Sequence, residues 1–118
     1  MSPLLIDYLR HVRDQCDGLI ELSNTMSYEE LSSHPWIRLG AVKSLEIIGE
    51  ALKRVPREDL SDPNVPWRQL IRMRDRMAHG YLDIDFKIVW DVMIVVVPVL
   101  RPAIDQMIRE QEQHRDAD

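Results

Sequence analysis

Where proline and glycine fall constrains this chain more than any other feature. Its seven prolines and four glycines stand mostly at the borders of stretches in which apolar residues recur every three or four positions, the punctuation of helices rather than of a sandwich or barrel. Ser2 and Pro3 read as an N-cap and a first-turn proline. Behind them Leu5, Tyr8, Leu9, Val12, Cys16, Leu19 and Ile20 make one stripe, which predicts a helix to about Asn24. Ser27 with Glu30 fits a capping box, and His34-Pro35 soon interrupts the helix it opens, so a connector of about two turns is expected. From Pro35, Leu39, Val42, Leu45, Ile48, Gly49 and Leu52 line a second long helix that Pro56 stops. Residues 56–66, with three prolines and the acids Glu58, Asp59 and Asp62, read as an exposed loop. Pro66 then opens WRQLIRMRDRMAH, which Gly80 closes.

The last helix is expected from a cap at Asp83 or Asp85 to about residue 112, with a polar tail from about 110. Val95, Val96 and Val97 favour a strand there, and Pro98 and Pro102 oppose a helix interior. The spacing of Ile88, Val92, Val95, Val99, Ala103, Ile104, Met107 and Ile108 decides for a helix kinked near Pro98. Its apolar residues cover more than one face, so it is expected to be covered from more than one side, by the bundle and by a second subunit. Trp36, Trp67 and Trp90 sit near helix starts and are expected to pack helix ends onto the core.

The result is one all-α domain spanning residues 1–118, an up-down helical bundle of four to five helices. A chain of 118 residues buries roughly two thirds of its unfolded surface, enough for one core and too little for a doubly wound cofactor domain. A single Cys cannot form an internal disulfide, and no basic-then-apolar leader stands at the start, so a cytoplasmic location is expected. The longest apolar run, from Val92 to Leu100, is far short of the roughly 20 residues of a membrane span. No membrane association is expected.

Charge is uneven. Residues 66–81 carry Arg68, Arg72, Arg74 and Arg76 against Asp75 alone, a net +3 within a chain of −5, so the remainder carries −8. An acidic protein thus has one basic helix, able to grip a phosphate backbone or merely to be a solvated face. At 100° per residue Arg68, Arg72, Asp75, Arg76 and His79 form a polar stripe, and Trp67, Leu70, Ile71, Met77 and Ala78 an apolar one. Arg74 falls on the apolar side, where a guanidinium needs an anion, a cleft or a buried acid such as Glu46 or Glu50. His79 lies about 140° from it around a regular helix, but beside Gly80 the helix can end and let the ring turn. Imidazole exchanges protons near neutral pH and guanidinium stabilises developing phosphate charge, a pairing suited to RNA cleavage through the 2′-hydroxyl without a metal. Asp75 could orient the imidazole or pair with an arginine.

The run Arg74-Asp75-Arg76-Met77-Ala78-His79 resembles the motif of HEPN ribonucleases: Arg, a polar residue, three to five variable residues, then His. His79-Gly80-Tyr81 adds a His-x-Tyr extension. With LEIIGEALKRVP (Leu45 to Pro56), MRDRMAHGYLDIDFKIVWDV (Met73 to Val92) and the proline-containing last helix, the chain resembles the HepT-like toxin family over nearly its whole length. The resemblance implies a homodimer that brings two motifs to a shared cleft, and a metal-independent endoribonuclease toxin of a type VII-like toxin–antitoxin system. It implies Arg74 as phosphate and transition-state contact, His79 as general acid or base, and Asp75 in support. It also implies a cognate MNT-type nucleotidyltransferase antitoxin that transfers AMP to Tyr81. Arg68, Arg72 and Arg76 are the candidates for contacting the RNA substrate.

No cofactor is expected. His11, His34 and His114 are scattered and no pair has metal-ligand spacing, so no metal is expected either. Cys16, on an apolar stripe, reads as a buried inert thiol. Two other functions stay open from the residues: a non-catalytic partner and substrate of a nucleotidyltransferase, and a plain helical adaptor. Whether the RNA is tRNA or mRNA has no readable code, because RNA is recognised largely by shape and unpaired bases.

Overall fold

The computed structural model describes residues 4–80 and 84–117, with side chains to residue 114. Helix α1 (Leu5–Thr25) is followed by the short α2 (Tyr28–Ser32), by α3 (Pro35–Lys53), by a 3₁₀ turn (Arg57–Asp59) and by α4 (Trp67–His79). Then α5 (Phe86–Asp91) passes through a π-helical turn (Val92–Val96) into α6 (Val97–Ala117) as one continuous rod. No strand occurs among the described residues. The all-α reading holds.

Local chemistry sets the helix ends. At α1 the Leu4 N–H donates to Asp7 Oδ2 at 3.2 Å; Ser2 and Pro3 lie outside the described residues. At α2 the expected capping box forms, with Glu30 N–H donating to Ser27 Oγ and Ser27 N–H donating to Glu30 Oε1, both at 3.1 Å. Pro35 is the first residue of α3, where its missing N–H costs nothing. Of the two caps expected for the last rod, Asp85 serves: its Oδ1 accepts from Lys87 N–H at 2.9 Å. Asp83 lies outside the described residues.

Helices α1 and α3 and the rod share one core. Leu9, Val12 and Cys16 meet Leu45, Ile48 and Leu52, and the rod adds Val89, Met93, Val97, Leu100, Ile104 and Ile108. No polar or charged residue is buried among the described residues. Charges sit instead along the α1–α6 seam, where Arg10 pairs with Glu112, Arg13 with Asp105 and Arg101 with Asp17. That descending register is antiparallel packing written in ion pairs.

Four expectations about faces are corrected. Leu39 is exposed, since the buried face of α3 centres on Leu45, Ile48 and Leu52 and Leu39 lies about 120° from Leu45 around the helix. Trp36 is 82% exposed and packs no helix end, because it lies on the outer side of the first turn of α3. On α4, Ala78 faces solvent although its neighbour Met77 is buried. On the rod, Ile88, Val95 and Val99 are exposed while Val89, Met93, Val97 and Leu100 are buried. Apolar residues on every side left the period free to choose the wrong stripe. Just before Pro98, where a kink is expected, the rod takes a π turn in which Val97 N–H donates to Val92 C=O. An inserted wide turn is a common way for a helix to absorb the lost donor and ring of a proline.

Candidate functional site

The loop before α4 is folded back on itself so that the helix starts in a fixed place. Asn64 N–H donates to Asp62 Oδ1 at 2.9 Å, and Trp67 Nε1–H donates to the Asp62 carbonyl at 3.0 Å. From there Leu70 and Met77 are buried, and Arg74, between them on the same face, is turned toward α3. The approach of the two helices is close. A Cβ added to Gly49 would lie 2.4 Å from Arg74 Cβ and 3.0 Å from the Leu70 carbonyl, distances no side chain can occupy.

Arg74 is held there by acids. Its Nε lies 2.9 Å from Glu50 Oε2, sealed from solvent and not aimed along the hydrogen-bond direction. Its Nη1 donates to Asp75 Oδ1 at 3.0 Å. Of the two acids the sequence offered, Glu50 makes the pairing, while Glu46 pairs with Lys43 at 3.8 Å. Asp75 also accepts from Lys53 Nζ at 3.4 Å. The Arg74 hydrogen bond, seconded by Lys53, holds the Asp75 carboxyl below its ordinary range. Asp75 therefore serves the guanidinium rather than the imidazole.

The opposite face of α4 is open. Arg68, Arg72 and Arg76 are exposed and have no ion pair among the described residues. His79, the last residue of the helix, is exposed. Gly80 N–H closes the helix on the Arg76 carbonyl at 3.2 Å, and its φ of −165° is ordinary extended backbone. The helix ends without the left-handed cap the glycine allowed.

Between this face and the last rod runs a groove of about 730 Å³, the size of a small-ligand site. Gln69, Arg72, Asp75, Arg76, His79 and Asp85 supply its polar lining, and Met73, Met77, Ile84, Ile88, Val92 and Val96 stand among its apolar walls. Arg74 does not line it. Within one chain the motif's Arg and His therefore point to different places: Arg74 to the α3–α4 seam, His79 to the mouth of the groove. Tyr81 lies outside the described residues.

Sequence reasoning missed two parts of this site. The first is Gly49, read only as part of a stripe, although a glycine inside a helix is itself a signal of close approach. The second is the apolar groove wall, whose trace was the surplus of apolar residues on the last helix. Away from the groove, Cys16 is fully buried, and burial pushes its thiol up to about 12, far from any nucleophile. No group of three metal-ligating side chains occurs among the described residues, and no helix there is long and apolar enough to cross a membrane.

Residues 12–107 match the model of the ribonuclease HepT-like family. Among curated proteins, one from Caldanaerobacter subterraneus subsp. tengcongensis named "Putative RNase" is 32% identical over 106 residues, covering 89% of this chain and 95% of that protein. One from Methanocaldococcus jannaschii with the same form of name is 33% identical over 109 residues, 92% of this chain and 87% of that protein. A "Probable ribonuclease HepT" of Thermococcus cleftensis is 28% identical over 102 residues, 86% of this chain and 93% of that protein. No solved structure matches.

Proposed function

The chain belongs to the ribonuclease HepT-like family, and on that premise we propose that it is an RNase toxin of a type VII-like toxin–antitoxin pair, cleaving RNA through the 2′-hydroxyl without a metal. The observation that carries this reading is the mouth of the groove, where an exposed imidazole stands beside Arg72 and Arg76, guanidiniums that form no ion pair among the described residues although Asp75 and Asp85 line the same groove. The only carboxylate next to them on α4, Asp75, is already engaged by Arg74 and Lys53.

In the reaction His79 takes the 2′-hydroxyl proton as that oxygen attacks phosphorus. The bond to the 5′-oxygen breaks, an imidazolium returns a proton to that oxygen, and the products are a 2′,3′-cyclic phosphate and a free 5′-hydroxyl. Arg74 stabilises the charge on the equatorial phosphate oxygens, and Arg68, Arg72 and Arg76 grip the backbone on either side. Since Arg74 and His79 of one chain face different ways, the site is completed by a homodimer. Ile88, 51% exposed, and Val95, 62% exposed, continue the groove wall outward as an apolar face for the second copy. Tyr81, two residues beyond His79, is the point at which an MNT-type nucleotidyltransferase antitoxin adds AMP, placing a bulky anion where the RNA phosphate must sit.

The test is cleavage of total cellular RNA in EDTA by protein whose intact mass shows an unmodified Tyr81, beside His79→Ala. Fragments ending in 2′,3′-cyclic phosphate that vanish in the variant are expected. No cleavage by the unmodified protein, together with adenylylation that fails in Tyr81→Phe, would instead favour a non-catalytic substrate of the transferase.

A further inference from the structure

Two neighbouring residues of α3 converge on the motif arginine, and neither belongs to the motif. Gly49 has no side chain at the one place where Arg74 Cβ and the Leu70 carbonyl would collide with it. Glu50, the next residue, places Oε2 2.9 Å from Arg74 Nε. Asp75 takes Nη1 at 3.0 Å. Both acids are themselves tied down, Glu50 by Arg54 at 3.2 Å and Asp75 by Lys53 at 3.4 Å. Nη2 has no partner among the described residues, and it is not among the sealed polar atoms, so it meets solvent. The side chain as a whole is 27% exposed.

A free arginine has many rotamers, and freezing them on a phosphate costs affinity and geometry at the moment of reaction. Here the freezing is done in advance: one helix supplies the space and a counter-charge on Nε, the other a hydrogen bond on Nη1. We propose that Gly49 and Glu50 form a socket that presents Arg74 to the scissile phosphate by its Nη2 edge alone, with Glu50 as the positioning residue of the cleavage reaction. The inference rests on the reading of Arg74 as the phosphate contact. It adds that the guanidinium engages through one edge, since the Nε side of its fork is occupied by protein. Asp75 then acts as the second jaw of the socket.

The experiment measures initial rates of cleavage of a fluorescent single-stranded RNA in EDTA for wild type, Glu50→Ala, Glu50→Gln and Arg74→Ala, with Tm recorded for each and the Arg74 Nε–H NMR signal for the three proteins that keep Arg74. Glu50→Ala is expected to lower kcat on the order of 10²-fold, as misplacing a reacting group does, with KM within about twofold and the Nε–H signal broadened by exchange with water. Glu50→Gln, which keeps an oxygen at the same reach, is expected to recover at least about tenfold of that loss. Arg74→Ala is expected to be inactive, and adding Glu50→Ala to it to cost nothing more. An inactive Arg74→Ala beside a Glu50→Ala variant of wild-type kcat would overturn the socket and leave the role of Arg74 standing. An Arg74→Ala variant that cleaves like wild type, or a wild type that does not cleave, would overturn the reading beneath it and the socket with it. A Glu50→Ala variant that loses Tm and keeps kcat would make Glu50 merely structural.

Discussion

The last rod of this protein has two halves that treat the same amino acids differently. Along α6 every apolar side chain on the inner face is covered, and Arg10, Arg13 and Arg101 each meet an acid across the α1–α6 seam. Along α5 and the π turn, Ile88, Ile94 and Val95 face solvent, and the arginines across the groove have no ion pair among the described residues. A charge with a partner and an apolar residue with a neighbour hold a fold. Unmatched charge beside uncovered apolar surface stores interaction for something outside the chain. The π turn stands at the join, and α4 reaches the rod across an open groove rather than a packed seam.

If the halves differ in this way, each can be damaged separately. The largest effect should come from the packed half: Leu100→Ala, fully buried, is expected to destabilise by about 2–5 kcal/mol, read as a lower midpoint in urea. Next, Val95→Asp in the open half should leave that midpoint within about 0.5 kcal/mol, as exposed substitutions do, and yield monomers by light scattering at concentrations where wild type is dimeric. Stability lost with the aspartate would show that Val95 belongs to the scaffold after all. Arg72→Ala and Arg76→Ala should each weaken RNA binding without changing Tm, and each should lower the slope of log affinity against log salt by about one phosphate contact.

The smallest effect is electrostatic. Asp105 is held below the ordinary carboxylate range first by its hydrogen bond from Arg13, with Arg109 and Arg101 contributing. Because its folded pKa is lower than its unfolded one, its contribution is fully present above about pH 4 and is lost as the pH falls through the folded value. Asp105→Asn should therefore lower Tm slightly at neutral pH and flatten its fall as the pH drops below about 4. An unchanged acid limb would show that the seam's charges are bystanders.

The first three helices were easier to read in the sequence than the last rod and its groove. Ser27 with Glu30, Pro35 before a periodic run, and Cys16 on a stripe are local signals whose partners lie within a turn or two, and the structure repeats them. Arg74 on the apolar side of α4 was legible as needing an acid, and the offer of Glu50 was correct because helical spacing puts it one turn from Glu46 on the facing helix. Gly49 was not legible as a contact, since a missing side chain announces space without saying who fills it. Nor was the rod's buried stripe: where Ile88, Val89, Val92, Met93, Val95 and Val96 are all apolar, periodicity carries no phase, and the π turn shifts what phase there is. The site of the proposed chemistry straddles these two kinds of region, so its arginine was foreseen and its groove was not.

That the packed α1–α6 seam serves the fold and the open groove serves cleavage is tested most directly by one pair of variants measured side by side for Tm and for RNA cleavage in EDTA. His79→Ala, at the mouth of the groove, should lose more than about 10²-fold in cleavage with Tm unchanged, while Arg13→Ala, in the α1–α6 seam, should lower Tm and cleave like wild type well below it. Cleavage retained in His79→Ala, or activity and stability falling together in both, would contradict the account.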